Sequence, residues 1–325
     1  MELKDTFGRV HRDLRIAVTD RCNFRCQYCM PEEGMKWIPR EGLLTFEEIE
    51  RVASLLVARY DIDSIRLTGG EPTVRAKLPD LVAKLSKLGV DLAMTTNGVS
   101  LPLIAKDLRD AGLNRLNISL DSLDRDRFVE LTRRDELDRV LEGIDAAIDA
   151  GFDPVKINVV LMNGINDDEI VDFAKFGRDK GVVVRFIEFM PLDADEQWGH
   201  DRVVPLADVV KAIDEVYPLE PITRTSAPAT RYRYADGKGE VGVIATVTEK
   251  FCDTCDRIRL TADGQFRNCL FAVSDYNLRD ALRSGATDDD VAAIIEGAVH
   301  DKWAGHGIDT VHFIRPKRNM SQIGG

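Results

Sequence analysis

Six cysteines fall into two groups of three: Cys22, Cys26 and Cys29 near the start, and Cys252, Cys255 and Cys269 far down the chain. Three and then two residues separate the first group; two and then thirteen separate the second. Three thiolates can hold a 4Fe–4S cluster and leave its fourth iron without a protein ligand, so each triad offers an open iron for chemistry. Zinc competes for the first triad, but structural zinc takes four protein ligands and favours Cys-x-x-Cys pairs. The nearest further candidate, His11, lies in the preceding polar segment. A redox dithiol needs only two cysteines.

A second chemical feature is Thr68-Gly69-Gly70-Glu71-Pro72. A glycine pair at the end of a strand lets a ligand approach the backbone, or simply makes a tight turn. Glu71 and Glu188 have the chemistry of acids, although hydrogen bonding at strand ends is the plainer use for them. No paired catalytic carboxylates, Ser–His–Asp set or P-loop competes.

These residues need a frame. From Leu14 to about Phe189 short β-rich runs alternate with amphipathic stretches, which predicts strands at Leu14–Val18, Ser64–Leu67, Asp91–Thr95, Arg115–Ser119, Val155–Val160 and Val182–Phe189. Helices are expected near Thr45–Arg59, opened by a Thr45/Glu48 capping box, and near Pro79–Leu88, Leu101–Ala111, Leu137–Ala150 and Asp167–Lys180. Gly89, Gly112, Gly151 and Gly181 follow helices where a C′ glycine belongs. Repeated β-α units mean a parallel sheet with right-handed crossovers. Six of them make an α/β fold with a partial (β/α)6 TIM-like barrel. Arg15, Arg66 and Lys156 lie within otherwise apolar strands, where an unpaired charge is costly.

Past Met190 the rhythm breaks, so we divide the chain into a barrel over 1–190 and a C-terminal α+β extension over 191–325. The second triad straddles a hairpin turning at Asp263-Gly264. Arg257 and Arg259 alternate with Ile258 and so share one strand face. The closing Ile323-Gly324-Gly325 carries no helix or strand signal.

Composition bounds the rest. A 325-residue chain can bury a large core, and its 44% hydrophobic and 31% charged residues are ordinary for a globular protein. A net charge of −12 argues against nonspecific nucleic-acid binding. The abundance of Asp over Glu and Arg over Lys suits a salt-rich cytoplasm, or the Arg bias of a GC-rich genome. The charged first segment lacks a signal-peptide core, and no run is long and apolar enough for a membrane span. Clustered cysteines favour metal over disulfides, and with them a reducing cytoplasm.

The Cys-x3-Cys-x2-Cys loop with Tyr28 before its last cysteine, followed by Gly-Gly-Glu-Pro, resembles the radical S-adenosylmethionine (SAM) superfamily. Within it, Asp13–Pro31, Ile65–Pro72, Thr95–Gly98, Asn117–Asp121, Gly164–Asp168, Arg185–Met190 and the second triad with Arg257-Ile-Arg259 are similar to the GTP 3′,8-cyclase family of molybdenum cofactor biosynthesis. The similarity runs along essentially the whole chain. It implies two 4Fe–4S clusters, one on Cys22, Cys26 and Cys29 with SAM on its open iron, the other on Cys252, Cys255 and Cys269 with guanine at its open iron. It implies SAM contacts at Tyr28, Gly70, Ser119 and Met190, and GTP contacts at Arg15, Arg66, Thr95, Lys156, Arg257, Ile258 and Arg259. Arg15, Arg257, Arg259, Gly324 and Gly325 would act in catalysis, the two glycines by reaching into the active site. The implied reaction is hydrogen abstraction from ribose C3′ by a 5′-deoxyadenosyl radical and closure of C3′ onto C8. An external one-electron reductant, handover to cyclic pyranopterin monophosphate synthase and a homodimer also belong to the family picture. A radical SAM peptide-modifying enzyme and a non-catalytic iron-sulfur protein stay open as alternatives.

Overall fold

Six β-α units follow one another: β1 (Asp13–Ala17), α1 (Phe46–Tyr60), β2 (Ser64–Thr68), α2 (Leu78–Ser86), β3 (Asp91–Thr96), α3 (Leu101–Asp110), β4 (Arg115–Ser119), α4 (Arg125–Thr132), α5 (Leu137–Asp149), β5 (Lys156–Leu161), α6 (Ile170–Lys180) and β6 (Val183–Glu188). The structure, a computed structural model, describes residues 1–193, 196–223, 227–308, 310–311 and 313–324. The six strands pair in sequence order and all run parallel. Local signals set the helices. Thr45 Oγ1 accepts the Glu48 amide at 3.1 Å while Glu48 Oε2 accepts the Thr45 amide at 2.7 Å, and α1 then buries Ile49, Val52, Ala53, Leu56 and Tyr60 along one stripe.

The extension consists of α7 (Leu206–Asp214), β7 (Leu219–Pro221), β8 (Thr230–Tyr234), β9 (Glu240–Ile244), β10 (Arg257–Leu260), β11 (Gln265–Arg267), β12 (Tyr276–Asn277), α8 (Leu278–Arg283), α9 (Asp288–His300) and α10 (Met320–Ile323). It continues the sheet from both ends: β9 joins β6 and β10 joins β1, each in parallel. The resulting order is β12-β11-β10-β1-β2-β3-β4-β5-β6-β9-β8-β7. Each parallel edge of the barrel, which would otherwise present unpaired amides, is thus covered by an antiparallel hairpin. The barrel stays open.

Parallel strands covered by helices are usually apolar on both faces. Here only one face is. Leu14, Ile16, Ile65, Leu67, Leu116, Ile118, Ile157 and Val159 belong to the main core, whereas the alternate positions carry Asp13, Arg15, Ser64, Arg66, Asn117, Lys156 and Asn158 around a cavity. The sheet is therefore packed outside and polar inside.

Besides the short strands β7 and β12, two elements depart from the sequence reading. α4 carries only Phe128 and Leu131 as large buried apolar residues, so its pattern is too sparse to read; an Asp124 side-chain cap on the Arg127 amide starts it. The final segment, expected to lack structure, forms the single turn α10, which the Gln322 side chain helps close by accepting the Asn319 amide at 3.2 Å.

Helix α5 packs where its backbone crosses the loop after β3. A Cβ on Gly143 would lie 2.2 Å from the Gly98 carbonyl oxygen. Gly143→Ala is therefore expected to destabilise the chain by about 1–3 kcal/mol as an overpacked core site, despite alanine's better helix propensity. An unchanged or raised denaturation midpoint would contradict this contact.

Candidate active site

All six cysteines line one cavity of about 560 Å³. Their positions follow from the chain's path. The first triad lies on the loop after β1, whereas Cys252 and Cys255 lie just before β10, and these two strands are parallel neighbours. Because β11 runs antiparallel to β10, Cys269, just past its end, returns to the same side as Cys255. The two triads therefore sit at opposite ends of the β1–β10 pair. Five residues of β1 separate those ends, roughly 16 Å of extended chain.

At the first triad, burial pushes the thiols of Cys22 and Cys29 up to about 12, with Glu71 adding at Cys22 and Cys22 adding at Cys29. Tyr28 is aimed by its hydroxyl, which donates to Asp121 Oδ2 at 2.7 Å while Asp121 Oδ1 accepts the Val160 amide at 2.9 Å. Burial holds that carboxyl up at about 6. The glycine pair has a use beyond either sequence option. A Cβ on Gly70 would lie 2.4 Å from the Arg21 oxygen and 2.5 Å from that of Asp20, and one on Gly69 would lie 2.4 Å from that of Thr19. Gly70 N donates to Thr19 O and Glu71 N to Arg21 O, both at 2.8 Å. The missing side chains let backbone meet backbone, which fixes the entry to the cysteine loop.

Glu71 is saturated. Its oxygens accept from the Thr73 amide and hydroxyl, the Thr96 hydroxyl and the Asn97 amide at 2.6–3.0 Å. Glu188 likewise accepts the amides of Leu206, Val247 and Thr248 and the Thr248 hydroxyl. Both carboxylates tie strand ends together, which leaves neither free for proton transfer. Ser119 and Met190 also line the cavity.

Between the triads stands a wall of cations. Strand register sets Arg15 beside Arg66 on one side and Arg259 on the other, neighbours about 4.8 Å apart across a sheet. Burial, then repulsion from Arg15, holds Arg66 down at about 9; burial, then Arg185, Arg115 and Arg66, holds Lys156 at about 8. Among the described residues Arg66 Nε and Nη1 and Arg15 Nε are buried without a hydrogen-bond partner. Arg115 is neutralised by Asp91, but among the described residues Arg185 finds only the amide oxygen of Asn158, at 2.8 and 3.1 Å. Buried guanidiniums left unpaired are strongly unfavourable, so this wall fits a polyanion.

The second triad has different surroundings. Burial opposes ionisation of Cys255, yet Arg257 and Lys302 beside it hold the thiol at about 7. Arg257 and Arg259 line the cavity as their alternation requires, and Ile258 faces the other way, fully buried in the core. Thr95 lines the cavity within 3.4 Å of Asn117 Nδ2. The tail enters as well: Arg259 Nη1 donates to the Gly324 carbonyl, and a Cβ on Gly324 would press on Thr68 and Ala17 at 2.9 and 3.0 Å. Gly325 lies outside the described residues.

The donor sets fit clusters better than single ions. No three His, Cys, Asp or Glu side chains among the described residues are arranged for one metal ion, yet the thiols of each triad are close enough to raise one another's pKa. An ion about 2.3 Å from each sulfur draws thiolates to within about 4 Å of one another, whereas a cubane gives each its own corner. The sequence reading missed Arg115, Asn117, Asp121, Asn158 and Arg185. Their signal was a polar residue at every second position of strands that a parallel sheet should make apolar throughout.

If the glycine approach fixes the first cysteine loop, Gly70→Ala is expected to fold, keep the second cluster and lose the first. Anaerobically reconstituted protein would then fall from about eight irons per chain to about four. A full iron complement in this variant would contradict the contact.

The Radical SAM superfamily model matches residues 16–177, and the Molybdenum Cofactor Synthesis C model matches residues 182–308. A GTP 3′,8-cyclase from Rhodopirellula baltica is 49% identical over 99% of this chain and 92% of its own length. The one from Streptomyces coelicolor is 47% identical over 99% of this chain and 96% of its own. Among solved structures, Streptococcus suis SuiB bound to S-adenosylmethionine is similar with a TM-score of 0.60 at 15% identity, covering 88% of this chain and 68% of that one; this likeness shows the fold. Sequence, sheet and cavity agree that the chain belongs to the GTP 3′,8-cyclase family of the radical SAM superfamily.

Proposed function

We propose that the chain converts GTP to (8S)-3′,8-cyclo-7,8-dihydroguanosine 5′-triphosphate, the entry step of molybdenum cofactor biosynthesis. One observation carries this reading: two cysteine triads line one cavity from opposite ends, with unpaired guanidiniums between them. When bound, a cluster on Cys22, Cys26 and Cys29 together with SAM supplies a 5′-deoxyadenosyl radical able to remove the C3′ hydrogen of a ribose.

The chain's own task is placement. Arg15, Arg66, Lys156 and Arg259 receive the triphosphate, Arg forks pairing with phosphate oxygens. Arg185 is the further cation of that wall. Guanine goes to the cluster on Cys252, Cys255 and Cys269, flanked by Arg257. Held at both ends, GTP offers one C–H bond to the SAM side, where Tyr28, Gly70, Ser119 and Met190 meet the cofactor. Phe189, Leu192 and Phe271 line the cavity and exclude water. Gly324 meets Arg259 and leads the tail toward the reacting region. An external one-electron reductant completes the balance; residues 1–190 form the barrel with the SAM side and most of the cation wall, and residues 191–325 add the second triad with Arg257 and Arg259. Among the described residues no helix is long and apolar enough to cross a membrane. The setting we assign is the cytoplasm, with a homodimer handing product to cyclic pyranopterin monophosphate synthase.

The test is anaerobic reconstitution followed by SAM, dithionite and either GTP or ATP. Cyclised nucleotide from GTP alone is expected. Deoxyadenosine without nucleotide product would point to another substrate, and absence of SAM cleavage would overturn the reading. Deleting Gly324 and Gly325 should leave both clusters and SAM cleavage largely intact while abolishing cyclised product; full product formation would remove the tail from the mechanism.

Lys156 adds a pH dependence. Its free ammonium loses its proton as pH passes about 8, whereas a bound polyanion favours the charged form. GTP affinity should be full below pH 8 and weaken above it by up to about tenfold per pH unit, the slope of one linked proton. Equilibrium dialysis on Lys156→Met should give weaker binding and a flatter profile; an unchanged slope would assign the proton elsewhere.

A further inference from the structure

Lys302 takes no part in the chemistry above, yet it is only 3% exposed and points at the second triad. Its Nζ lies 2.7 Å from His11 Nε2, 2.9 Å from the Arg257 carbonyl oxygen and 3.8 Å from Cys255 Sγ. The His11 ring is itself fully buried, with Nδ1 3.3 Å from the Leu3 carbonyl oxygen. A carbonyl can only accept, so Nδ1 carries the proton and Nε2 is left as the acceptor for Lys302. Burial, then Lys302, keeps the ring neutral, its pKa pulled down to about 4. Three acceptors around one nitrogen call for three N–H groups, which only the ammonium form has.

The same N-terminal segment holds the loop of the second triad from another side. Arg9 Nη1 donates to the carbonyls of Cys252 and Ala304 at 2.8 and 2.9 Å, and Nη2 donates to that of Trp303 at 2.6 Å. Asp5 Oδ2 accepts from Arg9 Nε at 2.6 Å and lies 3.8 Å from His11 Nε2. Asp5, Arg9, His11 and Lys302 thus form one buried network resting on Cys252 and Cys255, with Arg257, Asp256 and Cys269 the other ionisable groups about it.

We infer that Lys302, held by His11, is a positioning residue for the second cluster that directs a fixed positive charge and an N–H group at the Cys255 sulfur and thereby raises the reduction potential of that cluster. The inference rests on the two-cluster reading. Potentials of iron-sulfur clusters follow local charge and hydrogen bonds to sulfur, and a cation beside a cluster favours its more negative, reduced form. At the first triad the carboxylates Glu71 and Asp121 stand against one cation, Arg25, whose Nη1 donates to the Cys22 carbonyl at 2.8 Å, and among the described residues no ammonium or guanidinium donates to a sulfur there.

The experiment is an EPR-monitored redox titration of the full chain loaded with both clusters. A Cys22/Cys26/Cys29→Ala chain assigns the signal of the second cluster. Iron is counted first: about four per wild-type chain would sink the two-cluster reading, whereas about eight leaves the present inference exposed to test. Lys302→Met should lower the potential of the second cluster by at least a tenfold change in its reduction equilibrium, 59 mV for one electron, and leave the first unmoved. Lys302→Arg should recover part of the difference. An unchanged potential in Lys302→Met at full iron would overturn the inference. Should that variant lose its second cluster, His11→Phe decides, because it removes the acceptor that aims the ammonium. A lower potential there sustains the inference, and an unchanged one overturns it.

Discussion

Arg15, Arg66 and Arg259 stand abreast on three parallel strands, and the molecule must hold these like charges together in a buried wall. Counter-charge is scarce. Asp13 is the carboxylate that draws on both Arg15 and Arg66, and Asp91 is used up by Arg115. What holds the cations is the outer face of the same strands, where Leu14, Ile16, Ile65, Leu67, Ile258 and Leu260 are fully buried. A strand cannot release its inward arginine without withdrawing its outward leucine from the core, because side chains alternate strictly. Apolar burial on one face thus opposes repulsion on the other, and a bound polyanion relieves that repulsion directly.

The extension makes sense as part of that arrangement. A six-stranded open barrel would end at β1, with Arg15 at its rim. Adding β10 in parallel supplies Arg257 and Arg259 in register and carries the second triad to the amino ends of the strands. One strand pairing therefore places both the third cation of the row and the second metal site. The tail completes the enclosure. Arg318 pairs with Asp263 and Asp275, which anchors the last residues to the hairpin region and leads Gly324 toward Arg259.

Much of this was legible in the chain. The cysteine spacing, the six core strands, the Thr45 cap and the Asp263-Gly264 turn are local signals, and local physics decides them. The glycine pair was legible as a close approach but not as to what approaches, because Thr19–Arg21 comes near only when β1 and β2 pair. Arg185 and Asn158 were hidden differently. Each looks like an ordinary polar interruption until five neighbouring strands show the same alternation. Lys302 and His11 lie 291 residues apart and meet only through the extension's path. Helix α4 escaped because two large apolar residues define no stripe.

Two triads of the same chemistry are thus set in different electrostatic surroundings, carboxylates outweighing one arginine at the first and cations prevailing at Cys255 in the second. Glu71 and Asp121 stand by the first, and desolvation with these carboxylates outweighs Arg25 and disfavours further negative charge there. Arg257 and Lys302 stand by the second, with Arg9 holding its backbone. Charge of this kind is not screened as it would be at a surface, because both sites are buried and face a shared cavity. Adding an electron is hardest where the neighbours are anionic, so a cluster at the first site is the stronger reductant of the two once charged. On the reading proposed above, a cluster at the second site is held electron-rich more easily, in keeping with binding a purine rather than driving a cleavage. The division of labour proposed for two otherwise similar cysteine triads thus rests on the side chains around them.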